Sequence, residues 1–416
     1  MTTQDHTLPT AAAPASPAPA GEAGGARPAR HHLLTPVRAR LAYWWNNTPA
    51  PGWRAVRSRA DSLPRNVQVI SSLTGQDGVS IGYAGLPVGR TNVLQLLEHQ
   101  RTQLGWATVR CTDATIRLSD LAAGDWPDTD LVVVGAEERA LRRLPEHGSV
   151  TAPFRLHLVV NIPPSQEELA RLISKRERWQ FRRDQREHQW VLEEDSSPEA
   201  LTFFYERMHS PTMRNRHGDR SRTERLDVAR YAVLRQGTLF FLSQAGTRVA
   251  GVLCHWSKDR RTLTTRLLGV LDGLDEHYHT GAFKALYHHL LRWACEQRVA
   301  RVDLFGTEAY ISKGIFQWKR RLGAHPEWPP NHFATKRVRI YPRRDTPAVR
   351  DFLVANPLVL SDARGRLTPV YYTDDDRPPR LDLSARCPGL AEPEVVHLDT
   401  LLKPVAVHEP PSGEQL

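Results

Sequence analysis

The chain has 416 residues, 40% of them apolar, which is enough for two or three domains with buried cores. No run of about 18 apolar residues occurs, so the sequence predicts no membrane span. Its four cysteines form no CxxC pair that would indicate a zinc site or a disulfide framework.

The positive charge is concentrated in one part of the chain. Between Asn161 and Arg344 there are 33 Lys and Arg against 21 Asp and Glu, while the whole chain has a net charge of +10. Such an excess indicates an anionic partner, such as CoA phosphates, tRNA or a phosphorylated carrier. A high-GC genome is the alternative explanation, since 49 of the 56 basic residues are Arg.

The N-terminal part divides into a tail and a linker. Residues 1–30 are rich in Pro, Ala and Gly and lack the basic and apolar regions of a secretory signal, so we predict a disordered tail and a cytoplasmic protein. The linker at residues 31–62 holds four aromatic side chains, those of Tyr43, Trp44, Trp45 and Trp53. We expect part of it to dock on a folded body, and an anchor for a partner is the alternative.

Residues 63–163 are predicted to form a first α/β unit. Thr91 is a candidate cap for a helix that carries Val93, Leu96, Leu97 and Leu104. Three apolar runs predict strands, at Trp106–Cys111, Leu131–Gly135 and Arg155–Ile162.

A basic helix is predicted to begin at Ser165, where the run SQEE is a capping box. Five basic residues then recur at steps of 4, 3, 4 and 4, namely Arg171, Lys175, Arg178, Arg182 and Arg186. On a single helix they would share one narrow face. This pattern predicts either an anion-binding face or a solvated helix surface.

The next segments lead to a predicted sheet. Helices are expected at Pro198–Pro211 and Asp227–Gln236, and the basic run Thr212–Arg225 between them is predicted to be a loop over a cleft or plain surface. Three strands then follow, rich in β-branched and aromatic residues and separated by polar turns, at Thr238–Gln244, Val249–Ser257 and Thr262–Val270.

The stretch from Gly281 to Gly323 carries the candidate chemistry. Its helix places five apolar residues on one face, namely Phe283, Leu286, Leu290, Trp293 and Ala294. A short strand at Arg301–Phe305 should join the same sheet. The loop after this strand is rich in polar groups, and ligands of open α/β sheets usually bind beyond the carboxyl ends of strands.

This order of elements resembles the second half of a GNAT acyltransferase. The words GAFKALYHHLLRWA and VDLFGTEAYISKGIFQWKRRLG resemble the acetyltransferase-like domain of cellulose-biosynthesis-associated proteins and Fem-type peptidoglycan aminoacyltransferases. The resemblance covers roughly Ser165 to Gly323. It implies an α/β (α+β) fold with GNAT-like mixed sheets flanked by helices, in which a degenerate first unit at 63–163 precedes an acyltransferase domain at 164–344. Residues 338–342 (VRIYP) and 365–372 are predicted to form strands, and residues 347–356 are predicted to form a helix. The C-terminal extension at 345–416 has no assigned function.

The resemblance also implies where a donor would bind. GNAT enzymes hold the donor pyrophosphate at a helix N-terminus, which attracts anions. The matching positions are Thr280, Gly281 and Ala282, and Arg171, Lys175, Arg178 and Arg182 would add positive charge. Only Gly281 remains of the usual glycine-rich loop, so the donor is left open between acyl-CoA and aminoacyl-tRNA.

Acyl transfer to a small-molecule or peptide amine needs a base for the ammonium proton and a proton source for the leaving group. Candidate bases are Asp303 and Glu308, candidate acids are Tyr310 and Tyr278, and Lys313 would stabilise an oxyanion or phosphate. No Ser-His-Asp spacing occurs, so direct attack is expected. The histidines at 277, 279, 288 and 289 have no carboxylate or Cys partner at zinc spacing, and we predict no metal.

Two alternatives to a Fem-like acyltransferase or aminoacyltransferase stay open. One is a catalytically inactive GNAT-like module that binds RNA or another polyanion. The other is an acetyl-CoA N-acetyltransferase. A filled donor groove beside an exposed basic stripe would favour the inactive module.

Overall fold

The computed structural model describes residues 30–62, 66–75, 77–217 and 224–402. The predicted disordered tail therefore lies outside the described residues, apart from its last residue. Within the described ranges the protein is a mixed α/β fold with three sheets flanked by helices.

The strands of the described part are β1 (Asn66–Leu73), β2 (Ile81–Gly85), β3 (Arg110–Arg117), β4 (Leu131–Glu137), β5 (Val150–Pro153), β6 (Leu156–Asn161), β7 (Val191–Glu194), β8 (Gly237–Gln244), β9 (Thr247–Trp256), β10 (Thr262–Val270), β11 (Arg301–Thr307), β12 (His325–Glu327), β13 (Lys336–Pro342), β14 (Leu358–Ser361), β15 (Leu367–Thr373) and β16 (Glu394–His397).

The α-helices of the same ranges are α1 (Arg30–Asn47), α2 (Pro51–Asp61), α3 (Pro87–Gly89), α4 (Gln95–Gln103), α5 (Leu118–Ala122), α6 (Glu138–Leu141), α7 (Gln166–Leu172), α8 (Lys175–His188), α9 (Pro198–Phe203), α10 (Ser210–His217), α11 (Leu226–Val228), α12 (Glu276–His279), α13 (Ala282–Glu296), α14 (Gly314–Arg321), α15 (Pro347–Ala355) and α16 (Leu398–Leu402). Three π-helical segments extend them, at Arg90–Leu94, Phe204–His209 and Ala229–Val233.

A seven-stranded sheet forms the body that carries the candidate site. Its order is β12–β6–β11–β10–β9–β8–β7, so the four strands predicted to share a sheet do so. The amphipathic helix α13 packs its apolar face on this sheet, with Leu286, Leu290 and Ala294 buried in the main core as the spacing predicted.

Two strands are exchanged between the sheets. The strand β6, which precedes the basic helices, lies in the seven-stranded sheet between β12 and β11. The strand β13 lies instead in the six-stranded sheet β3–β1–β2–β4–β13–β5. The domain boundaries at 163 and 344 stay predictions; the chain passes from the six-stranded to the seven-stranded sheet between β5 and β6 and returns between β12 and β13.

Two details of the first unit were predicted wrongly. Thr91 does not cap a helix, because the helical run already begins at Pro87 and passes through a π-helical turn at Arg90–Leu94. The strand expected at Trp106–Cys111 begins only at Arg110, and all but one residue of β3 are exposed. Apolar content therefore misplaced this edge strand, since it has little apolar surface to bury.

The predicted basic helix is two helices. Ser165 caps α7 by accepting from the N–H of Glu168, as the capping box predicted. The helix then ends at Leu172, Ile173 is extended and buried, and Ser174 caps α8 by accepting from the N–H of Glu177. A second capping residue and a core contact thus broke the helix, and Arg171 does not share a helix with the other four basic residues.

The remaining predictions concern the flanks. Helices at 198–211 and 227–236, the strand at 338–342, the helix at 347–356 and the strand near 365–372 are confirmed within a few residues. The expected loop at 212–225 is partly wrong, because α10 continues to His217; residues 218–223 lie outside the described part.

Candidate active site at the divergence of β10 and β11

The candidate site lies where two parallel strands separate. β10 and β11 pair from Thr262 with Arg301 to Thr264 with Asp303, and the ladder ends there. Beyond this point β10 continues along β9, while β11 bulges after Asp303 and continues along β6. Phe305 lies within the bulge with a φ of +70°, a left-handed conformation that is costly for an aromatic residue. The divergence therefore opens the sheet at the carboxyl ends of β10 and β11.

Asp303 forms a buried pair at this point. Its Oδ2 is 2.6 Å from Nδ1 of His157, a residue of β6, and both side chains are at least nine-tenths buried. The other oxygen, Oδ1, accepts from the N–H of Phe305 at 2.8 Å. Asp303 thus has two functions at once, because it orients an imidazole and also satisfies a backbone group that the bulge leaves unpaired.

Lys313 and Lys319 add positive charge close to Asp303. Lys313 forms an ion pair with Glu308. Burial would raise the pKa of Glu308, but the positive charges of Lys313 and Arg155 outweigh it and hold this pKa below its ordinary value. Lys319 of α14 is buried and donates to the backbone carbonyls of Leu304 and Phe305. Burial lowers the pKa of Lys319 to about 7, although Asp303 opposes the shift.

Two arginines flank the ring of Phe305. The guanidinium carbon of Arg155 lies 5.0 Å from the ring centroid and that of Arg266 lies 4.5 Å from it. Among the described residues, neither Nε atom has a hydrogen-bond partner, although both are buried. The only carboxylate of the described part within ion-pair distance of Arg266 is Glu224, at 3.6 Å. The site therefore holds cationic groups that its own carboxylates do not fully pair.

The two tyrosines lie in different surroundings. Tyr310 packs into the core of the six-stranded sheet, its hydroxyl has no partner in the described part, and burial raises its pKa. Tyr278 on α12 is half-buried, and the guanidinium carbon of Arg216 lies 3.6 Å from its ring centroid. Burial raises the pKa of Tyr278 as well. Their roles as acids stay predictions.

The start of α13 is covered. Gly281 has a φ of +88°, and both it and Ala282 are buried, whereas Thr280 is half-buried. A Cβ at position 281 would lie 3.0 Å from Oδ2 of Asp184 and 4.0 Å from the ring of Trp190. Asp184 is therefore a carboxylate of α8 beside the helix N-terminus at which the resemblance implied a donor pyrophosphate.

The basic residues of α8 remain on the outside of this cover. Lys175, Arg182 and Arg186 are exposed and Arg178 is half-buried. Their steps of 3, 4 and 4 keep them on one side of α8, whereas Arg171 is exposed on α7. An exposed basic stripe thus exists, with four members on one helix.

Sequence reasoning missed several residues of the site. Arg155 lies directly before β6 and His157 lies within it, 146 residues before Asp303, so spacing along the chain could not associate them. One signal was present. Arg155 and His157 alternate with apolar residues in the stretch predicted as a strand at 155–162, and Arg266 is the single charged residue of β10. Charged residues within buried strands are rarely there for packing alone.

One family model matches the central part of the chain. Residues 171–320, which are 150 of the 416 residues, match the family model described as Acetyltransferase (GNAT) domain. No curated protein sequence matches the chain.

Solved structures with a similar fold include an L-PGS from Bacillus licheniformis, with 12% identity, a TM-score of 0.32 and coverage of 74% of this chain and 96% of that one. FemX has 10% identity, a TM-score of 0.35 and coverage of 65% and 83%. A GCN5-related N-acetyltransferase from Kribbella flavida has 14% identity, a TM-score of 0.26 and coverage of 71% and 97%. Likenesses this low carry no argument about activity. The family match includes α8, β10, α13 and β11, so the central part of this chain is similar to a GNAT acetyltransferase domain.

Proposed function

We propose that this chain is an N-acyltransferase that moves an acyl or aminoacyl group to an amine by direct attack. The observation that supports it best is the buried pair of Asp303 and His157 at the divergence of β10 and β11. Cationic groups lie around this pair, where β10 and β11 diverge. An amine acceptor, a base and a positively charged surrounding are the elements that such a transfer needs.

The pair can accept the proton of the attacking amine. When Nδ1–H of His157 donates to Asp303, the lone pair of the neutral ring is on Nε2. The amine nitrogen then forms a bond to the acyl carbon, the bond to the leaving sulfur or oxygen breaks, and the proton taken up by His157 passes to the leaving group. Glu308 is less suited to act as the base, because Lys313 and Arg155 stabilise its ionised form.

The cations have two roles in this proposal. Lys319, which donates to the carbonyls of Leu304 and Phe305, lies where it can stabilise charge that develops on the acyl oxygen. Arg155 and Arg266 would bind an anionic group of the acceptor or donor, since a guanidinium prefers carboxylate or phosphate as its partner. The amine would therefore belong to a molecule that also carries negative charge.

The covered start of α13 favours aminoacyl-tRNA over acyl-CoA as the donor. A pyrophosphate at Gly281 would meet the side chain of Asp184, which lies against that position and is paired with Arg183 at 2.7 Å. The exposed stripe of Lys175, Arg182 and Arg186 offers a different anionic partner a surface about three helical turns long.

One second function has an observation in its favour. A filled donor position together with an exposed basic stripe is also what an inactive module that binds RNA or another polyanion would have. In that case the stripe would bind the polyanion and no transfer would occur.

A transfer assay and a binding assay separate these functions. The purified chain is incubated with radiolabelled acetyl-CoA or with charged tRNA and a panel of amines, and product is followed by mass shift. In parallel, tRNA binding is measured over a range of salt for a variant in which Lys175, Arg182 and Arg186 are replaced by Ala.

We expect this triple variant to bind more weakly and its slope of log affinity against log salt to decrease by about 2 to 3. A matched control replaces three exposed arginines of the first unit by Ala, namely Arg110, Arg139 and Arg143. Turnover with charged tRNA would support the transferase. Tight tRNA binding without turnover on any amine would favour the inactive module, and an unchanged salt slope would show that the stripe is only a solvated face.

A further inference from the structure

The two N-terminal helices carry a continuous apolar surface that faces away from the protein. On α1 the residues Leu34, Val37, Leu41 and Trp44 follow one another at steps of 3, 4 and 3, which places them on one side of the helix. Each is between 37% and 59% exposed. Large apolar side chains at this spacing are normally buried, so this side of α1 is unusual.

The apolar surface continues onto α2. Trp53 and Val56 are 45% and 49% exposed. The ring of Trp53 meets that of Trp44 edge-on, with centroids 4.6 Å apart. The six residues Leu34, Val37, Leu41, Trp44, Trp53 and Val56 are therefore one surface, which we call the α1–α2 patch.

The opposite sides of both helices already hold them on the body. Ala39 of α1 is buried against Val228 and Ala232. In α2, Ser58 donates to Glu137 at 2.7 Å and Asp61 lies 2.8 Å from the Nζ of Lys336. The α1–α2 patch is thus not the surface by which these helices fold onto the protein.

The charge around the patch has one sign. Residues 30 to 60 contain six arginines and no aspartate or glutamate. Arg38 and Arg59 are exposed on the two helices of the patch. An exposed apolar stripe with tryptophans and only basic neighbours is the pattern of a helix that lies at the surface of a negatively charged membrane.

Other occupants fit this charge less well. A second copy of the chain would bring two sets of arginines together across a symmetric interface, where like charges repel. Residues 1–29 are rich in Pro, Ala and Gly and offer few large apolar side chains to cover the patch.

We propose that the α1–α2 patch docks this protein on an anionic lipid membrane surface. Both helices would lie in the plane of the interface, with Trp44 and Trp53 at the level of the headgroups and the arginines on lipid phosphates. No helix of the described ranges is long and apolar enough to cross a membrane, so docking is peripheral. The proposal does not depend on the proposed function, but it has a consequence for it. Tyr43, on the inner side of α1, lies 5.2 Å from the guanidinium carbon of Arg266, so docking would hold the candidate site near the membrane.

The test uses the full chain and vesicles of phosphatidylcholine, alone or with about one third phosphatidylglycerol, in a flotation assay. We expect binding to the anionic vesicles that weakens as salt is raised. Replacing Leu41 and Trp53 by Glu removes apolar contact and adds repulsion, so affinity should fall at least about 50-fold. Replacing Arg38 and Arg59 by Gln keeps the apolar patch and should lower the affinity for anionic vesicles about 25-fold. Binding to neutral vesicles is expected to be weak and should not change.

The matched control replaces two exposed apolar residues outside the patch, Val109 and Leu381, by Glu. Circular dichroism on each variant checks that it is folded. The proposal is overturned if the wild-type chain does not float with anionic vesicles, or if the patch and control variants float equally well. It is also overturned if sedimentation shows a dimer that the Leu41 and Trp53 variant abolishes, since a second copy would then cover the patch.

Discussion

Replacing Asp303 by Asn is the most informative single change in the candidate site. The two side chains have the same shape, so the variant retains an oxygen that can accept from the N–H of Phe305. What it loses is the negative charge and the acceptor for His157, which lies 2.6 Å from Asp303. With an amide donor in that position, His157 accepts on Nδ1 and carries its proton on Nε2, where it can no longer serve as the base.

The expected effects on stability and on turnover differ in size. Loss of one buried hydrogen bond to a charged group costs about 1.5–3 kcal/mol, which corresponds to a decrease of about 3–12 °C in melting temperature for a body of 150–250 residues. Loss of a general base lowers turnover about 100-fold or more. A paired measurement of melting and of steady-state transfer on the same preparation therefore separates a structural role from a catalytic one.

Controls make this result specific. Asp259→Asn changes an exposed carboxylate in the turn between β9 and β10 and should leave turnover unchanged. His157→Gln should lower turnover as much as Asp303→Asn, and the double variant should be no worse, because the two residues act as a unit. A variant at Asp303 that melts much earlier but transfers at the wild-type rate when folded would refute the assignment, and the site would have to be sought elsewhere.

The remaining predictions concern stability. Burial lowers the pKa of Lys319 to about 7. Above that pH the folded chain has released a proton that the unfolded chain still binds. The free energy of unfolding should therefore increase as pH rises from about 7 towards 10. Melting curves should show that Lys319→Met removes about 1 kcal/mol per pH unit of this dependence between pH 7 and 9, and equal slopes would contradict it. Gly281→Ala should destabilise by more than the roughly 1–2 kcal/mol that a positive φ costs, because its Cβ would also contact Asp184. Gly246→Ala is the control, since Gly246 has a φ of +79° and no atom within 4 Å of its added Cβ; denaturant titration should rank the two variants in that order, and equal losses would show that Asp184 yields freely.

The elements that the sequence predicted correctly are those with local signals. Alternating apolar residues placed β8, β9 and β10, and the helical spacing placed α13, because in each case the residues that share a face are close together in the chain. The capping box at Ser165 was also correct, since its bonds span only three residues.

The errors arose where distant parts of the chain meet. Ile173 ends the basic helix because it packs in the main core against residues distant in the chain, and no local preference indicates that contact. The exchange of β6 and β13 between the sheets brings Arg155 and His157 to Asp303, and a single sequence carries no record of such pairing. The predicted site therefore stays a prediction, and sequence reasoning alone missed the residues that pack around Asp303.

The balance of charge at the site gives the strongest physical reason to expect a negatively charged ligand. Asp303 and Lys319 satisfy backbone groups that the divergence of the strands leaves free, and Glu308 pairs with Lys313. These four groups could all be explained as support for the bulge in β11. Arg155 and Arg266 cannot, because apolar side chains could cover the ring of Phe305 without the cost of burying two guanidinium groups. An anion that enters between the strands would offset that cost, and both candidate functions supply one: a carboxylate or phosphate of a transferase substrate, or a phosphate of a bound polyanion.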